Sequence, residues 1–128
     1  MPATRLGFFS RLLDLTSAAE RYRLATEQIV CAERNGFDSA WVAQHHFVES
    51  EGGLPAPFVL LAHIAARTSR IKLGTGIVVL PLESPVRVAE DAAVLKMFEL
   101  NPRDASEFFD SEELLAVVDA PDVIVLQA

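Results

Sequence analysis

The sequence is poor in the features that mark secreted, membrane-spanning or nucleic-acid-binding proteins. It contains one cysteine among 128 residues, so no disulfide can form within the chain. No apolar run approaches the ~18 residues of a membrane-spanning helix, and the first fifteen residues are not typical of a signal peptide. Lysine and arginine number 11 against 18 acidic residues, a net charge of -7. We therefore expect a cytoplasmic protein that binds neither nucleic acid nor an anionic membrane surface.

Apolar residues, by contrast, are abundant. Hydrophobic residues make up 51% of the chain and charged residues 23%, which is enough apolar material for the core of one modest domain. The mean hydropathy of +0.27 is typical of parallel strands that are covered on both faces. The single cysteine, Cys31, falls inside a helical pattern, so we expect a small buried side chain there.

Three strand–helix units follow one another at intervals of ~30 residues, the size of a βαβ unit. The strands are predicted at residues 5–9, 39–43 and 71–80. Ser17 and Glu20 form a capping box before the first helix, Pro57 fits the first turn of the second, and Ser84-Pro85 starts the third. Crossovers of this kind are right-handed and give parallel strands. The sequence therefore predicts an α/β fold with a parallel sheet.

The pattern changes after Lys96. Residues 99–128 show no clear period, apart from a short helix predicted at 112–118 and a possible last strand at 123–126. We therefore divide the chain into residues 1–98, which carry the repeated units, and a divergent tail, residues 99–128.

Two adjacent histidines follow the second predicted strand, in the segment Gln44-His45-His46-Phe47. In parallel α/β folds, functional side chains gather at the carboxyl ends of strands. Imidazole titrates near neutral pH, which suits it to proton transfer or to hydrogen bonding with a reactive oxygen. The spacing alone is equally compatible with two solvated loop histidines.

A metal site is not expected at this histidine pair. Successive side chains of an extended segment point in opposite directions, so His45 and His46 are poorly placed to chelate one ion together. The other candidate ligands, at no diagnostic spacing, are Glu49, Glu51 and His63.

The third predicted strand is interrupted by Gly74-Thr75-Gly76. This triplet lacks the third glycine of a dinucleotide-binding fingerprint and does not lie at a strand-to-helix turn. Glycine inside a strand marks a bulge or a close approach of the backbone to another group. Two interpretations stay open here: a packing kink, or bare backbone against which a flat ring such as a flavin lies.

Taken in order, five segments resemble the luciferase-like family of flavin-dependent monooxygenases. They are RLGFF at 5–9, AERNGFDSAW at 32–41, QHHF at 44–47, AARTSRIKLGTG at 65–76 and LPLESPVRVAED at 80–91. Each motif is weak alone, but the ordered set is specific. The resemblance covers residues 5–97.

The resemblance implies a TIM-type (β/α) barrel, of which this chain holds a partial, N-terminal half, because a complete barrel takes about 250 residues. It further implies a reduced flavin mononucleotide (FMN) supplied by a separate reductase. The implied reaction uses molecular oxygen to oxidise a small organic substrate.

The resemblance also assigns site residues. His45 matches the histidine that assists at the flavin–oxygen site, and His46 matches its cofactor-binding neighbour. The segment that backs the flavin ring matches Thr75, Gly76 and Ile77. The Gly76–Ile77 bond corresponds to a cis peptide in some members. Gln44 stands where many members have glutamate, which removes a negative charge beside the histidines.

An alternative hypothesis is a non-catalytic half-barrel. Three or four strands cannot close a barrel, so they leave open edges and an apolar inner face that favour pairing with another chain. Such a protein would self-associate or pair with a full-length relative, and a homo-oligomer is expected in either case. A third hypothesis is a gene interrupted by a frameshift.

Overall fold

The structure is a computed structural model that describes residues 4–99. The tail, with the helix predicted at 112–118 and the strand predicted at 123–126, lies outside the described residues. Strands and helices alternate as predicted: β1 (Gly7–Ser10), α1 (Ala18–Arg34), β2 (Ser39–Ala43), α2 (Pro57–Ala65), β3 (Lys72–Ile77) and α3 (Pro85–Glu99). A short 3-10 turn, Leu80–Leu82, precedes α3.

The three strands form one parallel sheet in the order β1-β2-β3, which confirms the predicted α/β class. Val42 pairs with Thr75 and Ala43 with Ile77, so Gly76 is an extra residue in β3. The glycine inside the third strand therefore marks a β-bulge. The bulge bends the carboxyl end of β3 directly beside the end of β2.

One face of the sheet is covered by helices. On β2, Ala40 and Val42 are 0% exposed and pack among Ile29 of α1 and Leu61 and Ile64 of α2. Each of the valine, leucine and isoleucine side chains contributes about 1.5–3 kcal/mol by leaving water, and Ala40 contributes less. Because side chains alternate along a strand, their neighbours point to the opposite face, which we call the open face.

The open face carries Phe9, Trp41 and Gly74, which lie side by side in the pairing register. Phe9 is 52% exposed, whereas the adjacent Phe8 packs against the helix-covered core. Within residues 4–99 the main hydrophobic cluster lies on the other face. The two phenylalanines thus mark the two sides of the sheet.

The helix ends follow from local sequence. The Ser17 hydroxyl accepts the N–H of Glu20 (3.3 Å), which stabilises the start of α1 by about 1 kcal/mol. The Glu20 carboxylate bonds the Arg23 side chain instead of the start of the helix. Only the Ser17 half of the predicted capping box is therefore formed. Gly36 ends α1 with φ +86°, a left-handed conformation that glycine adopts without strain.

Two expectations about local structure are wrong. Cys31 is exposed, because the buried stripe of α1 runs through Ala25, Ile29 and Ala32, and position 31 falls on the far side of that helix. All peptide bonds in the described part of the chain are trans, so Gly76–Ile77 is not a cis bond here.

Glu33 joins the end of α1 to the start of β3. Its Oε1 accepts the backbone N–H groups of Ser69 (2.9 Å), Arg70 (2.6 Å) and Ile71 (2.9 Å). Burial alone raises the pKa of this carboxyl. The three N–H groups and the Arg70 charge outweigh burial, so the pKa of Glu33 lies below its ordinary value of 4.5.

This lowered pKa makes the Glu33 contact a source of pH-dependent stability. Glu33→Gln should lower the free energy of unfolding at neutral pH by about 1.5 kcal/mol, because a neutral amide accepts the same N–H groups more weakly. The folded pKa is depressed, so the contribution is complete above the ordinary value and is lost as the pH falls through the lowered one. Urea denaturation at a series of pH values measures this.

The matched control is Glu27→Gln on the same helix, whose carboxylate is 61% exposed and pairs with Arg23. That change should lower the free energy of unfolding by no more than about 0.5 kcal/mol at any pH. If the free energy of unfolding changes with pH in the same way in the wild type and in Glu33→Gln, the role given to Glu33 is wrong.

Candidate functional site

Three loops meet at the carboxyl edge of the sheet: residues 11–17, 44–56 and 78–84, which follow β1, β2 and β3. We call this edge the rim. Parallel strands all end at the same edge, so side chains that are distant in sequence converge there. Most of the residues that the sequence singled out for chemistry lie on or next to the rim.

His45 lies at the rim just after β2, and its side chain is 29% exposed. Its backbone N–H donates to Leu54 O (2.9 Å), which turns the chain back toward α2. The ring packs on Gly52, where a Cβ would come within 2.7 Å of His45 Cβ. Nε2 lies 3.4 Å from Glu51 Oε2, and Nδ1 is buried without a hydrogen-bond partner.

His46 has different partners. Its Nε2 lies 3.0 Å from Gln44 Nε2, and its ring centroid lies 5.7 Å from that of Phe47. The two imidazoles therefore do not converge on one point. In the part of the chain that the structure describes, no group of three or more His, Cys, Asp or Glu side chains is placed to hold a metal ion.

Gln44 is the most connected polar side chain of the rim, although it is only 2% exposed. Its backbone N–H extends the β2–β3 ladder by donating to Ile77 O (3.0 Å). Its side chain contacts both neighbouring loops. Sequence reasoning noted only the missing charge at this position. The available signal was its position, because a polar residue directly after an apolar strand is placed to be buried and to make hydrogen bonds there.

Arg21 is a second rim residue that sequence reasoning missed. It is 8% exposed, donates through Nε to Asp14 O (2.8 Å) and through Nη2 to Glu49 (3.1 Å), and so joins the first two loops. The adjacent Tyr22 hydroxyl donates to Gly53 O (3.1 Å). Arg21 lies four residues before Ala25, on the buried stripe of α1, and that spacing was the available signal.

The third strand reaches the same rim as His45. The backbone hydrogen bond above joins Gln44, the residue before His45, to Ile77, the residue after Gly76. Thr75 is 4% exposed and pairs with Val42, so its side chain faces the helices and only its backbone is available to a ligand.

The glycines of β3 are already covered by flat rings, and these rings belong to the chain itself. A Cβ on Gly74 would lie 2.6 Å from the Trp41 ring, and one on Gly76 would lie 2.8 Å from the Phe9 ring. The triplet kinks the strand, as the first interpretation predicts. The rings against its backbone are an indole and a phenyl group of the chain itself, and the flavin interpretation stays a prediction.

A groove of about 1110 Å³ lies elsewhere, between α1 and α2. It is lined by the outer residues of both helices, among them Val30, Val59 and His63. None of the site residues predicted from the sequence lines it. Because the convergent polar groups are at the rim, we place the candidate site at the rim and the open face beside it.

A family model described as luciferase-like monooxygenase matches residues 6–98. Two relatives illustrate the match. The alkanal monooxygenase alpha chain of the Kryptophanaron alfredi symbiont is 44% identical over 64 residues, which are 50% of this chain and 18% of that protein. The oxygenase component of a flavin-dependent trigonelline monooxygenase from Acinetobacter baylyi is 32% identical over 84 residues, or 66% of this chain and 23% of that protein.

A solved structure shows the same fold. The oxygenating constituent of 3,6-diketocamphane monooxygenase from Pseudomonas putida, in complex with FMN, superposes with a TM-score of 0.70 at 21% identity. The superposition covers 91% of this chain and 38% of the other. It confirms the predicted partial TIM-type barrel. The chain spans about a fifth of the length of the curated relatives it matches. No helix within residues 4–99 is long and apolar enough to cross a membrane.

The two glycines of β3 should differ in their tolerance of a methyl group. Gly74→Ala should lower the free energy of unfolding by about 2 kcal/mol, because the Trp41 ring donates to Ser39 Oγ (3.0 Å) and cannot withdraw easily. Gly76→Ala should cost less than about 1 kcal/mol, because the half-exposed Phe9 ring can rotate away. Chemical denaturation of both variants checks this order, and equal losses would contradict it.

Proposed function

The chain belongs to the luciferase-like monooxygenase family, and on that premise we propose that its rim forms part of a flavin-dependent oxygenation site. The reaction proposed is the oxidation of a small organic molecule with molecular oxygen. One observation carries the proposal: His45, with a buried and unpartnered Nδ1, flanks the backbone hydrogen bond that joins the ends of β2 and β3. Convergent polar groups at this edge are what a site on a parallel sheet requires.

The residues at the rim fit the cofactor that the resemblance implies, reduced FMN. An isoalloxazine ring has an extended apolar surface and a polar edge. The open face offers the Phe9 ring, which is 52% exposed, and the rim offers imidazole nitrogens. We propose that the half-exposed Phe9 ring rotates off Gly76 and that the flavin ring then contacts His46, Gly76 and Ile77 and the backbone of Thr75. When bound, the flavin supplies the electrons that reduce oxygen.

His45 is the proposed catalytic residue. The Glu51 carboxylate lies 3.4 Å from Nε2, and it can accept a hydrogen bond only if Nε2 carries the hydrogen. In the neutral ring Nδ1 is then the acceptor. No other group of the described chain satisfies Nδ1, so we propose that a turn of the partly exposed ring brings this nitrogen to the substrate, where it accepts or returns a proton.

The proposed partners are oxygen, a small organic substrate and a separate flavin reductase. Support for the reductase comes from the trigonelline enzyme, because the similar chain is named as an oxygenase component. We assign no residue to the phosphate of FMN.

The second candidate function is the non-catalytic half-barrel that self-associates or pairs with a full-length relative. It is favoured by the exposure of Phe9 (52%) and Leu6 (49%) on and beside β1. An edge strand with apolar neighbours is a template for another chain. The mass of the purified protein in solution, measured with and without flavin, separates the two functions. A dimer that binds no flavin supports the second.

Substitution of His45 tests the first function. With a reductase, FMN and candidate substrates, His45→Ala should lower the rate of substrate oxidation by about 100-fold, the ordinary contribution of a positioned acid–base group. FMN binding, measured from flavin fluorescence, should change little because His45 is not a proposed ring contact.

The control is His63→Ala, on the exposed side of α2, which should leave the rate and FMN binding unchanged. If His45→Ala retains the wild-type rate, the catalytic role is wrong. If the wild-type chain binds no reduced FMN, the proposed function is wrong.

A further inference from the structure

The orientation of the Gln44 side chain is determined by two backbone groups. Its Oε1 accepts the N–H of Val79 (2.8 Å), a group that can only donate. Its Nε2 donates to Pro55 O (3.0 Å), a group that can only accept. Exchanging the oxygen and nitrogen of the amide would place donor against donor and acceptor against acceptor. The amide therefore has one orientation.

Three acceptors surround the two hydrogens of Gln44 Nε2, so at least one hydrogen is shared between two of them. Besides Pro55 O, they are Glu83 Oε1 at 2.5 Å and His46 Nε2 at 3.0 Å. An amide nitrogen cannot accept a hydrogen bond. A hydrogen on His46 Nε2 would thus point at another N–H group, an unfavourable contact for the partly buried ring. The geometry therefore favours the neutral form of His46 that faces Gln44 with a bare Nε2 and carries its hydrogen on Nδ1.

We propose that Gln44 is a positioning residue that holds His46 as the Nδ1–H tautomer and fixes the loop after β3 against the loop after β2. The proposal rests on the function proposed above, because it concerns how His46 meets the flavin. The geometry supplies the means: Gln44 is 2% exposed and contacts His46 and Pro55 on one loop and Val79 and Glu83 on the other.

The same contacts explain why an amide suits position 44 better than a carboxylate would. A carboxylate at position 44 would face the Pro55 carbonyl, and it would lie about as close to the Glu83 carboxylate as the amide does now. Both contacts would be repulsive in a buried place. Gln44 and Glu83 therefore form a matched pair of amide and carboxylate.

The tautomer can be read directly from two-bond ¹H–¹⁵N correlation spectra of the full ¹⁵N-labelled chain. The wild type should show His46 mainly as the Nδ1–H form. In Gln44→Met, which keeps the length but removes the donor, the tautomer ratio should shift about tenfold toward Nε2–H, the shift that one ordinary hydrogen bond supports. The exposed His63 should keep its ratio in both proteins and serves as the internal control.

A wild-type His46 in the Nε2–H form would overturn the proposal without any variant. So would an unchanged ratio in Gln44→Met. The dissociation constant of reduced FMN should rise about tenfold in Gln44→Met through the misplaced imidazole. A shifted tautomer with unchanged FMN affinity would overturn the positioning role. Absence of FMN binding by the wild type would overturn the proposed function, and the tautomer assignment would still be tested.

Exchange of the matched pair gives a test that does not depend on flavin. Gln44→Glu alone should lower stability, and Gln44→Glu with Glu83→Gln should recover part of the loss, since amide again faces carboxylate across the 2.5 Å contact. Full additivity of the two changes would show that the side chains do not interact, and would overturn the pairing.

Discussion

The arrangement of the rim depends on one buried amide at the end of the central strand. Gln44 continues the ladder between β2 and β3 through its backbone and joins the two following loops through its side chain. A buried amide with all its hydrogen bonds made is stable, whereas a partly satisfied one costs more than an apolar side chain would. The Gln44 amide therefore favours a single arrangement of the rim, in which the two loops keep one position relative to each other and to both histidines.

The two faces of the sheet differ in a way that serves the proposed site. One face is filled by aliphatic side chains of α1 and α2, which provides most of the stability. The open face uses glycine and aromatic residues, so that the Trp41 and Phe9 rings lie against the backbone at Gly74 and Gly76. The bulge at Gly76 then brings the end of β3 beside the segment that carries the histidines. The stabilising core and the proposed ligand site thus lie on opposite sides of one layer.

At the opposite edge of the sheet, a charged carboxylate stabilises the start of β3. The Glu33 carboxylate accepts three successive backbone N–H groups before β3, which lowers its pKa. The loops of the rim are joined by the Gln44 amide and by the Arg21–Glu49 ion pair. Under the proposal above, the site further depends on which nitrogen of His46 carries the hydrogen.

The sequence by itself determined the parallel α/β class, the order of the elements, the start of α2 at Pro57 and the end of α1 at Gly36, because these follow from local periodicity and backbone preference. It also located the histidines at a strand end. Only the tertiary structure decided that Cys31 faces solvent, that Trp41 and Phe9 cover the glycines, and that Arg21 and Gln44 connect the loops. The physical reason is that these contacts join residues far apart in the chain, whose partners are chosen by packing and by hydrogen bonding in a buried place.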